Sequence, residues 1–237
     1  MNEAKHEIMQ RLRTALDVPR RNAVTTADDV PRDYMRADST AEAKTPRAKA
    51  LEVLQARLTE TGARVTTTTE RELAGDLASL LGSGQFVTAA GVPSEWTCDA
   101  AASGAELTVD SPDLDAHALT RMDGAITGAH SAAAITGTIA LSAADPRCGR
   151  RIISLIPDRH VIVLHHADAV VTVPALVARM QQQPEASWTW ITGPSATSDI
   201  ELNRVEGVHG PRTLDVLLVL ESDDQPDPAD DRKGAPA

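Results

Sequence analysis

A chain of 237 residues can bury one sizeable core but not two generous domains. With three Trp, one Tyr and one Phe the core must be aliphatic, and a net charge of −11 opposes a phosphate backbone, so nucleic acid is not an expected partner. Two distant cysteines, Cys98 and Cys148, exclude a cysteine-ligated iron–sulfur cluster or structural zinc site within the chain, and no stretch nears the roughly 20 apolar residues a membrane helix needs.

In chain order, Ile8, Leu12 and Leu16, with Met9 beside them, predict a short amphipathic helix that stops near Pro19. Residues 20–45 lack a period and read as a linker or extended arm, so that 1–45 forms an N-terminal helix and flexible arm. The helix is a candidate for docking on a partner, with packing on its own body as the alternative. An α/β domain is expected over 46–221. Leu51, Leu54 and Leu58 mark a helix that ends at Gly62, and Arg64 to Thr69 a β-branched strand. A helix through Leu73, Leu77, Leu80 and Leu81 leads to a buried strand at 85–90. Further strands are expected at 106–109, 124–128, 138–142, 160–164, 188–192 and 214–220, with helices at 113–122 and 174–183. The alternation implies parallel pairing through helical crossovers, hence an α/β class with a mostly parallel sheet. The last strand, LDVLLVL, barely alternates and belongs inside the sheet. An acidic, disordered tail is expected over 222–237. The charged start of the chain does not read as a secretory signal, and the expected location is cytoplasmic, with the cysteines as free thiols or one disulfide.

The stretch 193–201, GPSATSDIE, reads as a helix start. Ser195, Thr197 and Ser198 offer hydroxyls ahead of Asp199, Gly193 allows close approach, and free N–H groups there would hold an anion. The bland alternative is a capping box from Ser198 to Glu201. Gly207, Gly210 and Pro211 flank His209, which is either an acid, base or ligand donor, or a plain turn residue. Thr136, Gly137 and Thr138 form a close-approach loop or a simple turn before a strand. His165 and His166 end an apolar run, and neighbours in a strand point to opposite faces, which argues against one shared metal. His130 also stands at a strand end, and Arg147, Arg150 and Arg151 could meet a phosphate, a partner's acids or only solvent. No Walker-A loop, GxGxxG fingerprint or GxSxG elbow is present.

Taken together, Thr127-Gly128, AITGT at 134–138, SLIPDRH at 154–160, GPSATSDIE at 193–201 and GVHGP at 207–211 resemble the lactate utilization protein C family, the LUD domain group. The resemblance implies a three-layer α/β sandwich similar to ribose-5-phosphate isomerase and the CoA transferases. It also implies a place beside iron–sulfur subunits that oxidise lactate to pyruvate. Ile135 stands where members of the family usually carry a glutamate, and His130 where they often carry an Asp. The expected function is therefore a non-redox subunit of a lactate-oxidising complex, with no cofactor in this chain, iron–sulfur clusters in its partners and a small anionic ligand. The alternative is a stand-alone enzyme of the CoA transferase or sugar-phosphate isomerase type, acting on a phosphorylated or CoA-linked small molecule.

Overall fold

The structure, a computed structural model, describes residues 2–16, 41–197, 205–206 and 210–221. Most of the linker expected over 20–45 and all of the tail over 222–237 lie outside the described residues. The chain divides into a unit ending at Arg36 and a second running from Ala37. In the first, helix α1 (Asn2–Leu16) carries the expected periodic apolar residues, and Ile8, Met9 and Leu12 are exposed on it.

The second unit begins with α2 (Arg47–Glu60), whose buried Leu51, Leu54 and Leu58 recur at helical spacing on one face. Then come β1 (Arg64–Thr69), α3 (Leu73–Leu81), β2 (Gly84–Thr88), α4 (Ser94–Thr97) and β3 (Ala105–Val109). The middle of the chain supplies α5 (Ala116–Leu119), β4 (Gly124–Gly128), β5 (Ser131–Ala133), β6 (Thr138–Ser142) and β7 (Arg159–His165). It ends with β8 (Ala169–Val170), α6 (Val173–Met180), β9 (Trp188–Ile191), β10 (Ala196–Thr197), β11 (Val205–Glu206) and β12 (Thr213–Leu220). The expected helix over 113–122 contracts to α5, started by the Asp115 carboxylate, which accepts from the Ala118 N–H at 2.7 Å.

Six strands form a parallel sheet in the order β1-β12-β7-β4-β2-β3. β12 lies inside it, and its side chains alternate between two cores. Leu214, Val216, Leu218 and Leu220 pack with Leu54 and Leu58 of α2, while Leu217 and Val219 pack with Leu73 and Leu77 of α3. The fold is α/β with a mostly parallel sheet. Two strands depart from the expected parallel pairing. β6 and β9 belong to a second, four-stranded sheet, β8-β5-β6-β9, in which β6 runs antiparallel to both neighbours. Only Ala134–Thr136 and Gly137 separate β5 from β6. A connection that short closes an antiparallel turn, whereas a parallel crossover takes a dozen residues or more. Ala132, Ala134, Ile139 and Leu141 from this region join α2 in covering one face of the parallel sheet.

Candidate functional site

Several residues expected to hold a ligand do meet, around the last turn of α2. The Thr136 and Thr138 hydroxyls lie 2.9 Å apart, and Thr138 continues to Thr192 at 3.1 Å. Gly137 (φ +62°) faces the helix so closely that a Cβ would stand 2.9 Å from that of Arg57. At Gly193 (φ +122°) a Cβ would stand 2.8 Å from that of Thr61. Both glycines therefore serve close packing on α2. The Ser195 N–H donates to the Pro211 carbonyl at 2.8 Å, and Gly210 lies beside the Ser195 side chain.

The helix start expected after Gly193 is absent as far as Thr197. Ala196–Thr197 is a strand that pairs antiparallel with Val205–Glu206, so its backbone groups enter a ladder and not a first helical turn. The helix end adjoining Gly193 is the C-terminus of α2, where the Thr61 hydroxyl donates to the Leu58 carbonyl at 2.7 Å. That end of a helix dipole is negative and repels an anion. Ser198, Asp199, Gly207 and His209 lie outside the described residues.

Behind Gly193 and Ser195 is a cavity of about 180 Å³, bounded by β9, the 193–195 turn and the starts of β7 and β12. Among the described residues none of those lining it is charged. Its wall includes His160, which is wholly buried on the face of β7 that it shares with Ile162 and Leu164. His160 Nε2 lies 2.9 Å from the Thr127 hydroxyl, and Nδ1 has no hydrogen-bond partner. Burial pushes the pKa of His160 down to about 4, so the ring is neutral at pH 7. Sequence reasoning passed over this histidine, although an imidazole within a buried apolar strand was the available signal.

The opposite, C-terminal end of the parallel sheet carries a charged cluster. The order of strands reverses between β2 and β4, since β2 leads to β3 on one side and β4 to β7 and β12 on the other. Open α/β sheets bind ligands in the crevice at such a point. Here residues 145–149 lie over it: the Gly91 N–H donates to the Pro146 carbonyl at 2.9 Å, and the Gly128 N–H to that of Arg147 at 2.8 Å. Arg147 donates through Nε and Nη2 to Asp145 and through Nη1, at 3.3 Å, to Asp168. Burial alone would raise the pKa of Asp145, but the hydrogen bonds and charge of Arg147 outweigh it and hold the carboxyl below its ordinary range. His130 Nδ1 stands 3.2 Å from the same carboxylate, with its ring edge-on to Trp188.

Beside this cluster His165 Nδ1 lies 2.9 Å from Glu70, and its ring packs on Trp96 with centroids 5.2 Å apart. Burial lowers the pKa of His165 despite the opposing charge of Glu70. His166 turns elsewhere, its Nδ1 accepting from Arg47 at 3.1 Å and its Nε2 donating to Glu221 at 3.3 Å. The two histidines thus have separate partners. Among the described residues no group of three or more His, Cys, Asp or Glu is placed to hold a metal. Arg147 and His130 were visible in the sequence. Asp145, Glu70 and Trp96 were not, because they join them only through the fold.

Comparison with known proteins agrees with this architecture. The chain is 40% identical over 180 residues to lactate utilization protein C of Deinococcus radiodurans, covering 73% of this chain and 81% of that protein. It is 33% identical over 121 residues to lactate utilization protein C of an Exiguobacterium species, covering 46% and 49%. The crystal structure of a DUF162 family protein from Deinococcus radiodurans superimposes with a TM-score of 0.62 at 31% identity, over 74% of this chain and 99% of that one. Residues 51–219 match the LUD domain, and the chain belongs to that family.

Proposed function

We propose that this protein takes part in lactate utilization as a subunit without a redox centre of its own, working beside iron–sulfur subunits that oxidise lactate to pyruvate. Its likeness to lactate utilization protein C of Deinococcus radiodurans supports the role in lactate utilization. The place in a complex is supported chiefly by the segment 145–149. At the switch point, where an α/β enzyme would seat a substrate, this chain packs its own Pro146 and Arg147 against Gly91 and Gly128. The Arg147 guanidinium, the natural clamp for a carboxylate, already serves two aspartates. A lactate anion there would compete with Asp145 and Asp168 for that guanidinium.

The thiolate count points the same way. A four-thiolate cluster does not fit a chain with two cysteines, of which Cys98 is exposed and Cys148 buried. Removing electrons from the C–H of a 2-hydroxy acid needs a cofactor to receive them, since side chains do not do so repeatedly. Clusters in the partner subunits would supply that chemistry. Similarity to the CoA transferase and isomerase folds is part of this reading of the architecture and assigns no reaction to the chain.

The test is reconstitution. Lactate-dependent dye reduction is measured with the iron–sulfur subunits alone, with this chain alone and with all of them together, alongside co-purification. We expect turnover only where the clusters are present, and loss of turnover or assembly when this chain is left out. Lactate-dependent reduction by the isolated chain would overturn the reading.

A further inference from the structure

We infer that His166 is a proton-operated clasp, which ties the start of α2 to the end of β12 while its ring is neutral and lets α2 go when the ring takes up a proton. The device is independent of the lactate role. His166 opens the short 3₁₀ turn His166–Asp168 that follows β7, and it borders an open cavity of about 570 Å³ at the C-terminal ends of β1 and β12, so water reaches the ring.

Two observations carry the inference. The first is which atoms face the ring. Nδ1 lies 3.1 Å from Arg47 Nη2 and Nε2 lies 3.3 Å from a Glu221 carboxylate oxygen. A guanidinium only donates and an ionised carboxylate only accepts, so the ring that serves both keeps a lone pair on Nδ1 and its proton on Nε2. A second proton goes onto Nδ1, where it meets the N–H groups of a cation. The bond to Arg47 is then lost and replaced by repulsion, whereas the contact with Glu221 gains an opposite charge and strengthens. One event thus loosens α2 and tightens the hold on the end of β12. The second observation is that α2 starts with little support of its own. Its N-cap is Pro46, which has no side-chain acceptor, and its first turn holds no acid but begins with Arg47, whose charge opposes the positive end of the helix dipole. The tie to His166 supplies what the first turn lacks, while Leu51, Leu54 and Leu58 anchor the rest of the helix in the core. The other charged groups around the ring are Glu70, Arg71 and Glu72 on the cavity wall and His165 and Asp168 beside it in sequence. Glu70 faces His165 at 2.9 Å, Glu72 accepts from the Thr69 hydroxyl at 2.8 Å, and Asp168 accepts from Arg147 at 3.3 Å.

The full chain, labelled with ¹⁵N, is followed by NMR from pH 8 to pH 5. The ring nitrogens of His166 report the tautomer and its titration, and hydrogen exchange reports protection of the Ala50 amide, which donates to the Pro46 carbonyl at 2.9 Å in the first turn of α2. The Leu58 amide, deep in the same helix, serves as the reference for global unfolding. At pH 8 the proton should sit on Nε2. As the ring titrates, protection of Ala50 relative to Leu58 should fall about three- to tenfold, as expected for one lost hydrogen bond. Arg47→Ala should make this ratio independent of pH. His166→Gln, whose amide offers an acceptor and a donor but takes up no proton, should do the same. Arg47 is exposed, so its variant keeps the test open even if the histidine variant does not fold. A ring protonated on Nδ1 alone at pH 8, a ratio that ignores the titration of the ring, or a pH dependence that survives Arg47→Ala would each overturn the clasp.

Discussion

A Cβ built on Gly91 would stand 2.4 Å from the Cβ of Pro146 and 2.5 Å from its carbonyl carbon. Neither neighbour is the free end of a flexible side chain, so Gly91→Ala must push the 145–149 segment away from the end of β2. We expect a loss of about 1–3 kcal/mol in urea unfolding, the usual cost of overpacking. Gly75→Ala serves as the contrast. Nothing lies within 4 Å of a Cβ there, and the position is inside α3, so stability should rise by up to about 1 kcal/mol.

Asp215 is buried in β12 and shared by two arginines, with Arg64 Nε at 2.6 Å from one oxygen and Arg159 Nε at 2.6 Å from the other. Asp215→Ala should cost about 3–5 kcal/mol, because it strands the guanidinium of the largely buried Arg159. Arg64→Ala should cost less than about 1 kcal/mol, since that side chain is 61% exposed and Arg159 still pairs the carboxylate. Equal losses in urea unfolding would contradict this division.

Stability should fall as the pH drops from about 6.5 to 4. His160 has its pKa lowered from 6.5 to about 4 by burial, so within that window the unfolded chain binds a proton that the folded chain refuses. Its full effect is about 3 kcal/mol by the linkage relation. His165 is lowered too and acts in the same direction. The depressed pKa of Asp145 adds a loss at still lower pH, once unfolded aspartates begin to protonate below about pH 4. Urea midpoints measured from pH 7 to pH 4 should slope downward, and His160→Phe should flatten most of that slope.

Arg147→Met should raise the pKa of Asp145 from its depressed value, because burial would then be opposed only by the backbone N–H of residue 147 and by His130. Carboxyl ¹³C titration reads this directly. An unchanged Asp145 titration would mean that His130 and the backbone N–H of residue 147 suffice to hold the charge.

How far the sequence carried depended on whether a feature was local. The run LDVLLVL placed β12 inside the sheet because it leaves no face for water, and α2 and α3 followed from leucines at helical spacing. β5, only Ser131–Ala133, has no β-branched residue to announce it, so the second sheet and the antiparallel setting of β6 were invisible. The hydroxyls after Gly193 suggested a helix because the same residue types cap helices and line turns, and the pairing with Val205–Glu206 makes Ala196–Thr197 a strand, while Ser198, Asp199 and Glu201 lie outside the described residues. Gly137 and Gly193 looked like ligand contacts for a related reason. A glycine records that something comes close, but not that the neighbour is the α2 backbone and side chains.

Cys148 gives the segment 145–149 a chemical clock. Burial pushes its thiol up to about 12, whereas Cys98, two residues after Trp96, stands exposed, so an aromatic disulfide reagent should consume one thiol at once and the second only when the segment opens. The slow phase then times the lifting of Pro146 and Arg147 from the switch point, without any label being engineered into the protein. A partner subunit that grips this segment would lengthen the slow phase, and one that pries it open would shorten it.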